Sequence, residues 1–223
     1  KDVAFVCGEL ETSKIFQMFM GRIESWADFL KPSRKGLSYS EWIGFWGEMY
    51  VLSNLIIPQH PIADAINFWI GPLQQKQDFT LNDMALEIKT TVSGEPNEIQ
   101  ISSLDQLHKI TPKLYLMHLH INKSNDQLAL SLQDMYEKVI SICEEDTGLK
   151  NEFINKISSL YGRASQEQLE KKFNYLGLEI YDVNDHFPSL TKLNAPSSVT
   201  KARYSLDPTQ LGAFQLNLTA KEL

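Results

Sequence analysis

The sequence has few of the features that mark secreted or membrane-spanning proteins. It holds only two cysteines, Cys7 and Cys143, among 223 residues, and they form neither a disulfide framework nor a zinc-binding spacing. No apolar run approaches the roughly 18 residues that a membrane-spanning helix needs. No signal peptide is recognisable at the start of the sequence. We therefore expect a protein of the reducing cytoplasm without a membrane partner.

The sequence also has fewer basic residues than acidic ones. Lys and Arg number 21 against 28 Asp and Glu, which gives a net charge of −7. Because phosphate binding is led by Lys and Arg, this balance argues against general nucleic-acid affinity. It does not exclude a nuclease, since such enzymes gather carboxylates at a metal site and keep basic residues local. The candidates for local backbone contacts, which are otherwise ordinary solvated surface, are Lys31, Arg34, Lys35, Lys109, Lys113, Lys192, Lys201 and Arg203.

Length and composition indicate a folded domain. Hydrophobic residues make up 43% and charged residues 22% of the chain, as in ordinary globular proteins. We predict one domain over 1–223, with an N-terminal helix at 13–30, a core at about 38–122 and a C-terminal helical and β extension at 123–223. The predicted order of helices and strands indicates an α/β or α+β layout.

Local patterns predict the individual elements. Ser38 to Glu41 matches the S-x-x-E capping box, which predicts a helix running towards Ile56. Ser102 and Ser103 are expected to cap a short helix. Residues 134–173 are predicted to be mainly helical, and strands are predicted in INFWIGP (66–72), EIQIS (98–102), LYLMHLHIN (114–122), LGLEIYDV (176–183) and SSVTKARYSL (197–206).

The stretch QDFTLNDMALEIKTT, residues 77–91, predicts a β-hairpin with charged residues in an apolar frame. With Asn82 and Asp83 as a two-residue turn, Phe79 faces Leu86 and Asp78 faces Glu87. Lys89 shares the face of Glu87 because strand side chains alternate with period two. Like charges opposite each other destabilise a sheet, so we expect a cation between these two carboxylates.

Glu48 is a further acid in an unfavourable place. The segment EWIGFWGEMYVLSNLI is apolar almost all round, and Glu48 shares a face with large apolar residues. A carboxylate there is costly unless it is paired or binds a metal. It could form a buried salt bridge with Arg22 or Lys89. Together with the hairpin acids, it could instead supply an oxygen ligand for Mg²⁺.

Several motifs together resemble the PD-(D/E)xK nuclease superfamily. Asp78 followed by Glu87-Ile88-Lys89 at the end of a hairpin, preceded by a helix carrying Glu48, is similar to its site pattern. More narrowly, GFWGEMYVL, DFTLNDMALEIKTT, ISSLDQL and DHFPSLT…ARYSLD resemble a PD-(D/E)xK subfamily found in bacterial restriction and phage-defence gene clusters. The resemblance covers about Gly36 to Phe214, and Gln77 stands where the superfamily name has proline.

The resemblance implies a restriction-endonuclease-like core, with a mixed central sheet flanked by helices. It implies that Asp78, Glu87, the carbonyl of Ile88 and Glu48 bind Mg²⁺, with Mn²⁺ as a substitute, and that Lys89 orients or activates the attacking water. Gln106 would touch the water or the phosphate from the neighbouring helix. The alternative for Gln106 is an exposed amide near a helix start.

Two functions follow as expectations. The first is a Mg²⁺-dependent DNA endonuclease of a bacterial restriction or phage-defence system, acting alone or as a homodimer. The second is a catalytically silent interaction subunit that keeps the nuclease fold and serves ATPase or helicase partners. Cleavage of RNA or of structured DNA is a third option.

Other residues receive a structural interpretation. His118 and His120 alternate on a predicted strand and could form a two-ligand metal edge. No further Cys or His is spaced to complete it, so we expect a solvated strand face instead. Trp42, Phe45 and Trp46 are expected in the core, and Asp182 and Asp185 at a strand end and a turn.

Overall fold

A computed structural model describes residues 36–73 and 76–217. The predicted helix at 13–30, the basic residues Lys31, Arg34 and Lys35, and the proposed partner Arg22 lie outside this part of the chain. No helix in the described ranges is long and apolar enough to cross a membrane.

The first described helix, α1, spans Tyr39–Tyr50 and begins as the sequence predicts. The Ser38 hydroxyl accepts a hydrogen bond from the Glu41 amide, and the Glu41 carboxylate accepts one from the Ser38 amide. This capping box satisfies two amide donors that the first helical turn leaves without partners. The helix continues as a π-helix over Val51–Ile56. The other helices are α2 (Ile62–Phe68), α3 (Leu132–Ile142), α4 (Thr147–Tyr161), α5 (Gln166–Glu170) and short 3-10 turns at Gly71–Leu73, Pro208–Gln210 and Gly212–Phe214.

A five-stranded mixed sheet forms the centre of the molecule. In their order across the sheet, its strands are β1 (Phe79–Leu81), β2 (Met84–Val92), β4 (Lys113–Lys123), β5 (Phe173–Asp182) and β7 (Gln215–Leu216). The β2–β4 pair is parallel and the other pairs are antiparallel. Strands β3 (Ile99–Ile101) and β6 (Tyr204–Leu206) form a separate antiparallel pair.

Different elements cover the two faces of the central sheet. Helices α1, α3 and α4 pack on one face, where Leu86, Ile88 and Met117 contribute to the larger core. The β3–β6 pair covers part of the other face, against a smaller core that includes Ala85, Leu116 and Tyr181. Because strand side chains alternate, Glu87 and Lys89 belong to this second face. The result is the α/β, restriction-endonuclease-like core that the sequence predicts.

Three element predictions are wrong. The segment INFWIGP is not a strand: α2 ends at Phe68, Trp69 makes an isolated bridge to Phe79, and a 3-10 turn follows. Ala65, Ile66 and Trp69 are buried at a spacing that suits one helical face. Residues 103–107 form a turn instead of a helix. The late strand predicted over 197–206 is limited to β6.

Strands β5 and β7 come from the predicted C-terminal extension, yet they lie in the central sheet. Strand β5 pairs with β4 along most of its length, and β7 pairs with β5. The extension therefore supplies one side of the sheet in addition to the helices α3 to α5.

Candidate active site at the end of the hairpin

The hairpin has the predicted register. Phe79 pairs with Leu86, Thr80 with Ala85 and Leu81 with Met84, and Asn82 in the turn has a φ of 45°. Asn tolerates this left-handed conformation better than most residues. Since a shift of one residue would send every side chain to the other face, the turn fixes which acids meet.

Hydrogen bonds on both sides hold Asp78 in place. Its amide donates to the carbonyl of Leu86 at 3.0 Å, and its own carbonyl accepts from the amides of Ile70 and Gly71 at 2.8 and 2.9 Å. Its carboxylate oxygen Oδ2 accepts from the amide of Ile88 at 2.7 Å. The Asp78 side chain is therefore fixed beside the β2 backbone, next to the residue whose carbonyl the resemblance assigns to the metal.

Glu87 and Lys89 form an ion pair beside Asp78. Glu87 is 1% exposed, and its Oε1 lies 2.9 Å from the Lys89 ammonium nitrogen. The other oxygen, Oε2, is buried and has no hydrogen-bond partner among the described residues. Buried carboxylate oxygens normally have partners, so this oxygen is open to a cation.

The carboxylate of Glu48, a residue of α1, lies near Asp78. The indole Nε1 of Trp69 donates to its Oε2 at 2.7 Å. Gly71 leaves room for the carboxylates, because a Cβ there would collide with Glu48 Oε2 and lie 3.1 Å from Asp78 Oδ1. No salt bridge joins Glu48 to Lys89 within the described residues, and Arg22, the other expected partner, lies outside them.

The electrostatics of the three acids follow from burial and from each other. Burial, followed by the charge of Asp78, raises the pKa of Glu87 to about 8 against the opposing effect of Lys89. Burial and the charge of Asp78 also hold the pKa of Glu48 well above its usual range, although the Trp69 hydrogen bond lowers it. Burial raises the pKa of Asp78, against the effects of Lys89 and the Ile88 amide. Each acid therefore binds a proton more readily than it would in water, unless a cation replaces the proton.

These residues fit a hard divalent cation in donor type. Carboxylate and carbonyl oxygens are the ligands that Mg²⁺ prefers, usually with several waters in the remaining positions. The acids are not tightly clustered: within the described ranges, three such ligand atoms come within 4.8 Å of one another only at His118, His120 and Glu179. A Mg²⁺ ion that keeps several waters does not require a tighter cluster of protein ligands.

A groove opens beside Lys89 along the free edge of β2. Its volume is about 360 Å³, and Lys89, Thr90 and Thr91 form its floor. The start of α1 lines one wall and the 95–102 segment the other, with Glu95 and Glu98 among the lining residues. The groove gives a substrate access to Lys89, but these two acids would repel a phosphate.

Gln106 does not contact the acids in the described structure. Its amide oxygen accepts from the Ser102 amide at 2.7 Å. The neighbouring turn is tied to the hairpin by Gln77, whose buried side chain donates to the carbonyls of Asp105, Gln106 and His108 at 3.4, 3.4 and 3.0 Å. Gln77, the departure from the superfamily pattern, thus positions the segment that carries Gln106.

Three of the five basic candidates that the structure describes are already paired. Salt bridges join Lys109 to Asp185, Lys113 to Asp83 and Lys192 to Asp105, at 3.5, 3.3 and 2.9 Å. Lys201 and Arg203 have no salt bridge within the described part of the chain. They lie in the segment just before β6. Burial raises the pKa of Tyr204, the first residue of β6, and the charge of Lys89 is close enough to lower it.

The expectation of a solvated strand face is wrong for His118, whereas the side chain of His120 is 29% exposed. His118 is completely buried, so it is not on a solvated face. Its Nδ1 lies 3.3 Å from Glu179 Oε2, and His120 Nε2 lies 3.1 Å from the same oxygen. Burial lowers the pKa of His118 to about 4, which keeps its imidazole neutral. Glu179, the partner of both histidines, is an acid on β5, some sixty residues from His118 in sequence.

Sequence reasoning also missed Trp69, Gly71 and Glu179. Nothing local marks Trp69 as a partner of Glu48. Gly71 precedes a proline, and a Gly-Pro pair is typical of an ordinary loop. Glu179 did carry a signal, because it interrupts the apolar strand LGLEIYDV as Glu87 interrupts its own strand.

The comparisons with known proteins come from sequence families and from structures. A family model described as "Putative PD-(D/E)XK family member, (DUF4420)" matches residues 1–209. No significant match was found among curated proteins or among solved structures. The matched region contains all four charged residues at the end of the hairpin.

Proposed function

Since the chain belongs to the DUF4420 family of PD-(D/E)XK proteins, we propose that it is a Mg²⁺-dependent DNA endonuclease of a bacterial restriction or phage-defence system, acting in the cytoplasm. The observation that carries the proposal is the buried Glu87, with one carboxylate oxygen unbonded and with Asp78, Glu48 and Lys89 beside it. Such an arrangement is costly to the fold unless a cation occupies it.

In this proposal, Asp78, Glu87, the Ile88 carbonyl and Glu48 hold the Mg²⁺. When bound, the ion neutralises charge that develops on the scissile phosphate and lowers the pKa of a water molecule. Trp69 fixes the Glu48 carboxylate by its hydrogen bond, and the Ile88 amide fixes Asp78. These contacts set the ligand positions before any substrate arrives.

Lys89 has the chemical role in this site. Its ammonium lies 2.9 Å from Glu87 and lines the groove, so it can hold the attacking water or a phosphate oxygen. The water loses a proton as its oxygen bonds to phosphorus, the phosphodiester P–O bond breaks, and the leaving oxygen takes up a proton from solvent, so that one water molecule is consumed. Gln106 keeps a supporting role, because its amide oxygen is occupied by Ser102 and only its NH₂ group can reach a phosphate.

A second candidate function has its own support. The net charge of −7 and the acids Glu95 and Glu98 in the groove disfavour independent DNA binding. A nuclease-fold subunit that relies on an ATPase or helicase partner, or on a second copy of the chain, for DNA affinity would fit them.

The deciding experiment compares plasmid cleavage by the wild-type protein, Lys89→Met and Lys138→Met. Lys138 is an exposed lysine on α3, across the sheet from the site. We expect cleavage in Mg²⁺ by the wild type and by Lys138→Met, a loss of orders of magnitude in Lys89→Met, and no cleavage in EDTA. Cleavage that survives in EDTA or in Lys89→Met would contradict the proposal.

Calorimetric titration of Mg²⁺ separates the two candidate functions. Both the wild type and Lys89→Met should bind the ion, whereas Asp78→Asn should not. Binding without cleavage of plasmid, phage and single-stranded DNA would instead support the interaction subunit.

A further inference from the structure

A second group of metal-ligating side chains lies on the same face of the central sheet as Lys89. His118 and His120 come from β4, and Glu179 from β5, where it pairs with His118. In the described ranges they are the one set of three such residues whose ligand atoms all lie within 4.8 Å of one another. None of the three is a hairpin acid or lines the groove beside Lys89.

The spacing of the ligand atoms suits a small transition-metal ion. His118 Nδ1 and His120 Nε2 lie 3.3 and 3.1 Å from Glu179 Oε2. Ligands at 2.0–2.1 Å from a tetrahedral Zn²⁺ stand roughly 3.3 Å apart. Two imidazoles and a carboxylate are also a donor set that binds zinc well.

The strand pairing explains how the three side chains meet. The register of β4 against β5 shifts between His120 and Ile121, and such irregularities redirect neighbouring side chains. The residue opposite His120 is Gly177, which has no side chain to fill the space above the imidazole. His120 can therefore lean towards Glu179.

Two further residues orient the ligands. Thr91 Oγ1 lies 2.8 Å from Nε2 of His118, the ring nitrogen that faces away from Glu179. The Tyr181 hydroxyl donates to Glu179 Oε2 at 2.9 Å. Ligating histidines usually have such a partner on the second nitrogen, because it fixes the tautomer and the ring.

One side of the group is buried, and the other side is accessible to solvent. His118 is 0% exposed, while the side chains of His120 and Glu179 are 29% and 34% exposed. A cavity of about 230 Å³ that His120 and Thr91 help to line gives an ion a path from solvent. Three protein ligands leave a fourth position for water.

We propose that His118, His120 and Glu179 bind a transition-metal ion of the zinc class, with Thr91 orienting His118. The competing explanation is a metal-free network, in which both imidazoles donate N–H bonds to the Glu179 carboxylate. The two differ in measurable ways, because only a metal site gains a ligand spectrum and added thermal stability from the ion.

The test is a titration of Co²⁺, followed by its visible absorption, with competition by Zn²⁺. We expect one ion per chain and an absorption typical of low-coordinate Co²⁺ with nitrogen ligands. His120→Ala and Glu179→Gln should weaken binding by at least 100-fold, and Thr91→Val should weaken it by about 10- to 100-fold. Zn²⁺ should displace Co²⁺ and raise the melting temperature of Asp78→Asn, which lacks the hairpin site, but not that of Asp78→Asn/Glu179→Gln.

Two controls keep this site separate from the hairpin acids. His186→Ala removes an exposed histidine outside the group and should bind Co²⁺ like the wild type. Asp78→Asn should remove Mg²⁺ binding while leaving this absorption intact. Absence of the absorption at saturating Co²⁺, or equal binding by His120→Ala and Glu179→Gln, would overturn the proposal in favour of the hydrogen-bonded network.

Discussion

Glu87 is the residue where burial and charge oppose each other most directly. It is 1% exposed, and burial raises its pKa from 4.5 to about 8. The raised pKa favours proton uptake by this carboxyl group in the metal-free protein, against the Lys89 ammonium 2.9 Å away. A divalent ion must displace that proton, so metal binding and protonation compete at this one side chain.

This competition predicts how the stability of the metal-free protein depends on pH. Because the folded pKa lies above the unfolded value, the folded state binds more protons between pH 4.5 and about 8. Stability in EDTA should therefore be highest at the acidic end of that window and fall as pH rises through it. A full shift of this size corresponds to roughly 5 kcal/mol.

Urea unfolding in EDTA from pH 5 to 9 measures this dependence. Glu87→Gln should make the curve less steep, with the remaining fall due to Glu48 and Asp78, and be the more stable protein above pH 8. Glu144→Gln, at an exposed acid on the surface, should follow the wild type. A wild-type stability that rises from pH 5 to 8 would show that the Glu87 carboxyl is ionised in the folded protein.

Gly71 supports a second prediction at the scale of one residue. A Cβ there would collide with Glu48 Oε2 and approach Asp78 Oδ1. Gly71→Ala should push the two carboxylates apart and weaken Mg²⁺ binding by about 10- to 100-fold without unfolding the protein. Gly212 is a matched control, since it also begins a 3-10 turn and has open space at its Cβ position. Calorimetry that finds equal Mg²⁺ affinity in both variants would place the ion away from Gly71.

At the scale of elements, the contact between α1 and β2 brings Glu48 to the hairpin. Gly47 allows this approach, because a Cβ there would collide with the Thr90 hydroxyl and lie 3.5 Å from Ile88. Gly44, one turn earlier on the same helix, has nothing within 4 Å of its Cβ position. Close packing against β2 therefore requires a glycine at position 47. Gly44 lowers helix stability, and no neighbouring atom requires a glycine there.

The two glycines should respond to alanine in opposite directions. Gly44→Ala should stabilise the protein by about 0.5–1 kcal/mol, since alanine favours the helix. Gly47→Ala should destabilise it by about 1–3 kcal/mol through overpacking against β2. Thermal unfolding monitored by circular dichroism measures both. If Gly47→Ala were as stable as Gly44→Ala, the helix would not be held close to β2 in solution.

Elements with strong local signals could be predicted from the sequence. The capping box at Ser38 and the Asn82-Asp83 turn each fix a boundary by nearby chemistry, and both appear as predicted. INFWIGP has no such signal, because a short apolar run suits a strand or a buried helix equally well. The packing of Ala65, Ile66 and Trp69 into the core decides the matter, and that packing depends on distant residues.

The same limit applies to the candidate site. Asp78, Glu87 and Lys89 lie within a single hairpin, so period-two alternation and the turn were enough to bring them together. The Trp69 bond to Glu48 and the Glu179 contact with His118 join separate elements. Strand order and register across the sheet determine such contacts, and a local pattern cannot supply them.

For the whole molecule, the main question is how so acidic a protein would hold DNA. Among the candidate basic residues that the structure describes, Lys201 and Arg203 lack a salt bridge. Tyr204 pairs with Ile101, so Arg203 follows in the register opposite Ser102, which lines the groove. These two cations lie at the β6 edge, on the same side of the sheet as Lys89.

The double variant Lys201→Ala/Arg203→Ala should therefore weaken DNA binding in proportion to the phosphates it no longer neutralises. Each lost phosphate contact should reduce the slope of log K against log salt by about 0.9, so the slope should fall by about 1–2. Fluorescence anisotropy with duplex DNA, in the Lys89→Met background to prevent cleavage, gives K at several salt concentrations. The control Lys138→Ala/Lys172→Ala removes the same charge from the helical side of the molecule and should leave the slope unchanged. Equal slopes in all three proteins would mean that DNA reaches the site by another surface or through a partner protein, as the second candidate function requires.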